Sequence, residues 1–285
     1  LRAAGGERTA NPVHCIFDYR QLRSNGVLTQ LCQAKLRLIL MLYIFKLAVI
    51  AAVTVPAALV TFLFGLFDPH GKHVYFVTRL WSWTVLAIAG VTLRVCGLSR
   101  LDARQQYLFM VNHQSNIDIP VLVRSLPDFQ LRWIAKKELL WVPIFGWALW
   151  AGKHIIVDRA DGAGARGSLK KAEARIKSGI SVVVFPEGTR SPDGRLLPFK
   201  RGGFLLAAKT RTSIVPVTIT GSGKSLAKGE WRLRGGVVEV HVSEPILMTD
   251  YRPGTPRVLA TEVHRVIARN LTPNGGAASE AESAA

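Results

Sequence analysis

The feature that most constrains this chain is a near-continuous apolar run from Leu38 to Phe67, broken only by Lys46 and Pro56. Leu47 to Phe67 carries no charge, and as a helix it is long enough to span a hydrocarbon core of about 30 Å. A signal peptide would have a shorter apolar region and a small-residue cleavage site nearer the start, so that reading is rejected. After a polar link containing His70, Lys72 and His73, Leu80 to Leu98 forms a second apolar stretch, with Arg94 its single charge. It is read as a second helix, and the two histidines as a solvated loop rather than a metal pair. The pair is then either a transmembrane hairpin or a two-helix platform lying in one leaflet. Either arrangement leaves residues 1–37 and everything from Arg100 onward on one side. Basic residues flank both ends of the pair, which makes that side cytoplasmic. Burial inside a soluble protein is the alternative, and the length of the run argues against it.

Charge points to the same environment. The formal net charge is +18 and the isoelectric point is near 10.5, so an anionic partner is expected, either nucleic acid or a phospholipid surface. Charged residues make up only 20% of the chain while hydrophobic ones reach 49%, which favours the membrane surface. Cys15, Cys32 and Cys96 have neither zinc-type spacing nor an even count, so no metal site or disulfide framework is expected. A reducing compartment is the simplest home.

Past residue 100 short apolar runs alternate with helical patterns. Strands are expected at 107–111, 131–135, 154–157, 180–185, 214–220 and around 238–242, where Val238, Val240 and Val242 alternate with polar residues. Helices are expected from about Asp118, over 139–151, from a Ser168 cap to Gly179, over 204–210, and from Pro256 with Leu259, Val263, Val266 and Ile267 inward. This pattern predicts an α/β fold with a largely parallel sheet flanked by helices, preceded by a two-helix membrane-associated motif. The divisions are a polar segment (1–37), the two-helix motif (38–99), the α/β domain (100–271) and a Gly/Ala/Ser/Glu-rich tail (272–285) expected to be disordered.

Two strand ends carry the chemistry. Tyr107 to Val111 runs into Asn112-His113-Gln114-Ser115-Asn116-Ile117-Asp118, with Ser115 or Asn116 able to cap the helix that follows. His113 then sits in the turn and Asp118 at the helix start, close enough for carboxylate to meet imidazole. The second is Phe185-Pro186-Glu187-Gly188-Thr189-Arg190-Ser191 after a buried strand. In open α/β sheets ligands bind beyond the carboxyl ends of strands, so His113 and Glu187 should share one crevice. Gly188 lets backbone approach a ligand, and Arg190 offers a planar fork suited to phosphate. Arg159, after the strand ending at Val157, and Lys137, after the strand ending at Ala135, add positive charge to the same rim. Gly223-Lys224-Ser225 looks like the end of a phosphate-binding loop, but Thr218 stands where that loop needs glycine. Gly221-Ser222-Gly223 likewise lacks the full pattern of a serine nucleophile elbow.

Taken together, four blocks resemble the glycerolipid acyltransferase family, most closely the 1-acyl-sn-glycerol-3-phosphate acyltransferases. They are Asn112-His113 through Asp118, Gly152 to Arg159, Phe185 to Ser191, and Ile214-Val215-Pro216-Val217, in that order. Lys136 to Leu139 and Pro143 to Gly146 also look like that family. The second block departs from the usual pattern in the Gly152 to Arg159 spacing and in having isoleucine where an aromatic is common.

The resemblance implies transfer of an acyl chain from acyl-CoA or acyl carrier protein to the sn-2 hydroxyl of lysophosphatidate, giving phosphatidate. It implies no cofactor beyond the acyl thioester. Under that reading His113 is the general base and Asp118 fixes its tautomer, with the lipid hydroxyl in the place a serine takes in a hydrolase. Lys137 is expected to donate to the tetrahedral oxyanion. Arg159 and Arg190, with Gly188 and Thr189, are expected to hold the acceptor phosphate, while Glu187 orients an arginine or a hydroxyl. Glycerol 3-phosphate or another lysolipid as acceptor is the neighbouring alternative. A basic membrane-tethered nucleic-acid binder lacks a recognisable reading module and leaves the His-Asp pair unexplained, and a lipase or thioesterase lacks a visible nucleophile.

Overall fold

The computed structural model describes residues 27–68, 71–158, 162–250 and 256–271. Most of the N-terminal polar segment, the tail from Thr272, His70 and Arg159 therefore lie outside the described residues. The chain divides into two compact units, one ending at Ile44 and the other beginning at Phe45.

Helix α1 (Val27–Phe67) is 41 residues long, and Gln30–Phe67 is long and apolar enough to cross a membrane. Among the described residues it is the one helix that meets this test. Helix α2 (Lys72–Ala89) follows, held at its start by Asp68. That carboxylate accepts hydrogen bonds from the backbone N–H groups of Gly71, His73 and Val74 at 2.7–3.3 Å, replacing partners that a helix N-terminus otherwise lacks.

The expectation of a helix running on to Leu98 is corrected here. Gly90 takes a left-handed φ of 74° and closes α2 through hydrogen bonds from its N–H to the Leu86 and Ala87 carbonyls. Strand β1 (Val91–Cys96) then begins, its side chains alternating between half-buried and exposed. The single apolar stretch in the sequence thus joins two elements, a helix with period 3.6 and a strand with period 2. The sheet accordingly starts at Val91 rather than after residue 100. Two helices do precede it, but α2 buries Tyr75, Leu86 and Ala89 in the α/β core, whereas α1 packs against that core through the half-buried Ile50.

The remaining elements are β2 (Leu108–Val111), α3 (Asp118–Ser125), β3 (Leu131–Lys136), α4 (Phe145–Ala151), β4 (Ile155–Val157) and α5 (Gly162–Lys177). After them come β5 (Ser181–Val184), α6 (Gly202–Thr210), β6 (Ile214–Thr220), a single turn α7 (Ser222–Ser225), β7 (Gly236–Val242) and α8 (Pro256–Leu271). The expected helix over 139–151 is divided: a 3₁₀ turn at Lys137–Trp141 precedes α4, with Pro143 between them. Ser168 lies inside α5 rather than capping it, and its hydroxyl donates to the Ile156 carbonyl at 2.7 Å.

Among the described residues seven strands form one sheet in the order β1-β7-β6-β2-β5-β3-β4, parallel at every pairing except β6 with β7. The central strands are buried on both faces, which is why they read as continuous apolar runs. Alternate residues of β2 face opposite layers. Phe109 and Val111 join α2 and α3 in one core, whereas Leu108 and Met110 join α5, α6 and α8 in the other. Because β2 and β5 are parallel neighbours, their carboxyl ends lie side by side.

Candidate active site

Strand β2 delivers His113 through a short stiff loop. Asn112 continues the strand with its side chain: its Nδ2 donates to the Ile219 carbonyl at 2.9 Å, and its Oδ1 accepts from the Ile219 N–H at 2.7 Å. The amide thus imitates one rung of a sheet ladder and ties the loop to β6. The next backbone unit is tied to the other neighbouring strand. The His113 N–H donates to Glu187 Oε1 at 2.8 Å, and its carbonyl accepts from the Ser191 N–H at 2.7 Å.

The imidazole is fixed on two sides. Its Nδ1 lies 2.8 Å from Asp118 Oδ2, and its ring stacks on Phe185 at 3.9 Å between centroids with 16° between planes. An ionised carboxylate only accepts, so Nδ1 carries the proton and Nε2 presents its lone pair. Nε2 has no partner among the described residues, and the side chain is 16% exposed.

Asp118 is fully buried, and its Oδ2 also accepts the backbone N–H groups of Gln114 and Ser115, both at 2.8 Å. Of the two expected caps, Ser115 takes part: its Oγ accepts from the Ile117 N–H at 3.3 Å and donates to the Leu226 carbonyl at 2.6 Å. Ile117 holds the cap position of α3 without a side-chain bond, and the carboxylate of the first helical residue reaches back to the turn.

Glu187 is buried and accepts at both oxygens, from His113 N–H and from Leu197 N–H at 3.0 Å. Burial pushes its carboxyl above the usual carboxylate range, and the two N–H bonds oppose that only in part. It staples three backbone segments together and meets no arginine side chain among the described residues. Gly188 has a left-handed φ of 71°, and a Cβ there would press on the Lys200 side chain at 3.0 Å. Thr189 is exposed and accepts a long hydrogen bond from Lys228 Nζ at 3.4 Å, while Arg190 is half-buried and ion-pairs with no described residue.

Lys137, just past the end of β3 with β5 between that strand and β2, ion-pairs with Asp158 at 2.9 Å. The structure thus brings His113, Asp118 and Glu187 together, flanks them with Gly188, Thr189 and Arg190, and gives Lys137 to a separate pair. Asn112 and Phe185 head the two sequence blocks, but their roles, like that of Lys228, arise from contacts between distant chain segments that the sequence does not show. Among the described residues no group of three or more His, Cys, Asp or Glu side chains is placed to hold a metal ion.

An imidazole oriented by a buried carboxylate, with its Nε2 toward solvent, can act as a general base. The Acyltransferase family model matches residues 92–220. The chain is 34% identical over 206 residues to the chloroplastic 1-acyl-sn-glycerol-3-phosphate acyltransferase LPAT1 of Arabidopsis thaliana, covering 70% of this chain and 57% of that protein. It is 38% identical over 145 residues to a 1-acyl-sn-glycerol-3-phosphate acyltransferase of Cocos nucifera, covering 50% of this chain and 47% of that one. The chain therefore spans only about half the length of these curated relatives. The crystal structure of the 1-acyl-sn-glycerophosphate acyltransferase PlsC of Thermotoga maritima superposes with a TM-score of 0.70 at 25% identity, covering 83% of this chain and 95% of that one. Residues 92–220 of this chain thus carry the acyltransferase family's domain.

Proposed function

We propose that this chain is a membrane-bound 1-acyl-sn-glycerol-3-phosphate acyltransferase, moving an acyl chain from acyl-CoA or acyl carrier protein to the sn-2 hydroxyl of lysophosphatidate. The observation that carries this reading is the His113–Asp118 pair, whose Nε2 meets neither a partner nor an enzyme nucleophile among the described residues. Two serine hydroxyls of the adjoining loops are committed, Ser115 to Leu226 and Ser191 to Asp193 at 3.1 Å.

In the proposed reaction Nε2 takes the acceptor's hydroxyl proton as its oxygen attacks the thioester carbonyl. Collapse of the tetrahedral intermediate expels the thiolate, which recovers the proton from the imidazolium. The buried Asp118 carboxylate stabilises that imidazolium. General-base help of this kind is worth about 10² to 10⁴ in rate. Lys137 is assigned to the charge that develops on the thioester oxygen. Arg190, which ion-pairs with no carboxylate among the described residues, is assigned to the acceptor phosphate with Gly188, Thr189 and Arg159. Glu187 acts through the backbone, holding the His113 loop against the Arg190 loop. In this reading the apolar α1 serves to hold the site at the leaflet where lysophosphatidate and product reside, with the catalytic domain on the cytoplasmic side and the acyl thioester as the co-reactant.

The test is purified chain with acyl-CoA and either lysophosphatidate or water, following free thiol and lipid product together. Thiol release matched by phosphatidate is the expected result. Thiol release without lipid acylation makes the protein a thioesterase, and an active His113→Ala variant removes the base from the mechanism.

A further inference from the structure

The segment between β3 and β4 exposes more aromatic surface than a water-facing loop carries. Every residue from Lys136 to Pro143 except Leu140 is exposed, with Trp141 at 80%. Trp147 and Trp150, three apart on α4 and so on one face, are 50% and 54% exposed. Large apolar side chains scattered singly on a surface are ordinary; three tryptophans on one short segment are not.

The shape of the segment is fixed. A Cβ on the buried Gly146 would strike the Leu140 carbonyl, so the 3₁₀ turn and α4 are in backbone contact. Ile144 is held at a left-handed φ of 66°, which a β-branched residue adopts only under constraint from its surroundings.

Three observations say what this surface meets. It is continuous with the end of the apolar α1: Phe62 packs on Trp147 and Trp150 at 5.8 and 6.4 Å, Gly65 abuts Ala151, and Leu63, Phe64, Leu66 and Phe67 are each half exposed or more. Cations border it, with Lys136 and Lys137 at one end and the Lys153 ammonium 5.1 Å above the Trp150 ring at the other. The segment leaves the sheet at the carboxyl edge that also bears His113. Since β5 alone separates β3 from β2, it does so about 10 Å from the catalytic strand. Tryptophan flanked by lysine is the composition of the layer between headgroups and acyl chains.

We propose that Trp141, Trp147 and Trp150 are a second membrane-contact surface, inserted at the headgroup–acyl boundary, which seats the catalytic edge of the sheet against the leaflet. The inference rests on the membrane-bound reading above only for why the catalytic edge needs lipid beside it.

The test uses the full chain purified in detergent and reconstituted into vesicles of phosphatidylcholine and phosphatidylglycerol with acyl chains brominated close to the headgroup. Of the seven tryptophans, Trp83, Trp141, Trp147 and Trp150 are half exposed or more. With four comparable contributors, the bromine-quenched emission falls by about a quarter in each of W141F and W150F, with thermal unfolding unchanged. Quenched emission that stays at the parent level in both variants overturns the proposal. So does a lipid-independent blue shift that grows with protein concentration, which assigns the surface to a second copy of the chain.

A functional arm uses W141K, whose acylation rate falls about tenfold with vesicle-borne lysophosphatidate but not with acceptor dispersed in detergent. An equal fall in both formats, or in neither, overturns the seating role. A parent chain that acylates in neither format refutes the proposed function and leaves the quenching result to stand on its own.

Discussion

Replacing Asp118 by asparagine separates what this carboxylate does for the fold from what it does for the base. Its Oδ2 receives three donors at 2.8 Å, one imidazole N–H and two backbone N–H groups, while Oδ1 is buried with no partner among the described residues. In Asp118→Asn the amide oxygen occupies the Oδ2 position and still accepts all three. Charge-assisted bonds are about twice as strong as neutral ones, so each loses on the order of 1 kcal/mol. The new NH₂ group lands where Oδ1 stood, where no acceptor waits, at a cost of about 1–3 kcal/mol. Relief from burying a charge opposes both losses. The net destabilisation is therefore modest, about 1–3 kcal/mol, and the variant folds.

The rate responds far more strongly. Without the negative charge the imidazolium that forms during attack loses its buried counter-ion, and kcat falls by about 10² to 10⁴, which is about 3–5 kcal/mol of barrier. The assay is steady-state acylation of lysophosphatidate with both substrates saturating, beside a melting curve in the same detergent. Asp118→Ala strands all three donors, two of them in buried backbone, and destabilises by about 3–5 kcal/mol, so a loss of activity there is uninformative by itself. A folded Asp118→Asn protein that keeps kcat within about threefold of the parent refutes the electrostatic role and leaves Asp118 as a loop staple.

His113→Ala should lose about 10² to 10⁴ in kcat with little change in melting temperature, and combining it with Asp118→Asn should cost little more, because the two act as one unit. Glu187→Gln turns an NH₂ group toward one of the two backbone N–H donors it now serves, and should destabilise by about 1–3 kcal/mol. The parent Glu187 carboxyl is raised by burial, so its contribution to stability is present below the ordinary glutamate range and is lost as pH climbs through the raised folded value. Denaturation curves should therefore show a weaker pH dependence above that range in the glutamine variant. His154 accepts from the Trp133 N–H at 3.3 Å, and burial beside Arg132 pushes it down to about 3. The folded state resists its protonation, so stability is full above about pH 6.5 and falls as pH drops toward 3, by up to about 2 kcal/mol at pH 5. Chemical denaturation should show His154→Gln losing less over the same interval. Gly203→Ala places a methyl group 2.9 Å from Met110 Cε and 3.0 Å from Val184 Cγ1, and should cost about 1 kcal/mol in a melting experiment because the methionine end can yield.

The sequence by itself determined the parts of this protein in which local chemistry and burial coincide. Strands β2, β5 and β6 are buried on both faces, so their apolar runs are visible without a partner in view, and the parallel α/β class follows from their alternation with helices. His113 and Asp118 are five positions apart on one turn and one helix start, so their contact is a short-range matter that spacing alone determines.

Tertiary structure decided what depends on distant chain segments. An apolar stretch gives no sign of where a helix yields to a strand unless its partner is known, and β7, the partner of β1, lies far along the chain. Glu187 could as well have met an arginine as two backbone N–H groups, because a carboxylate accepts from either and only the packing of β5 beside β2 supplies the His113 N–H. The Lys137–Asp158 ion pair arises in the same way, since it bridges the adjacent ends of β3 and β4. The tryptophans of the 137–151 segment resemble ordinary core residues in sequence, and only folding shows that they face outward beside α1. Hydrophobicity says that a residue shuns water, and the fold decides whether protein or lipid takes water's place.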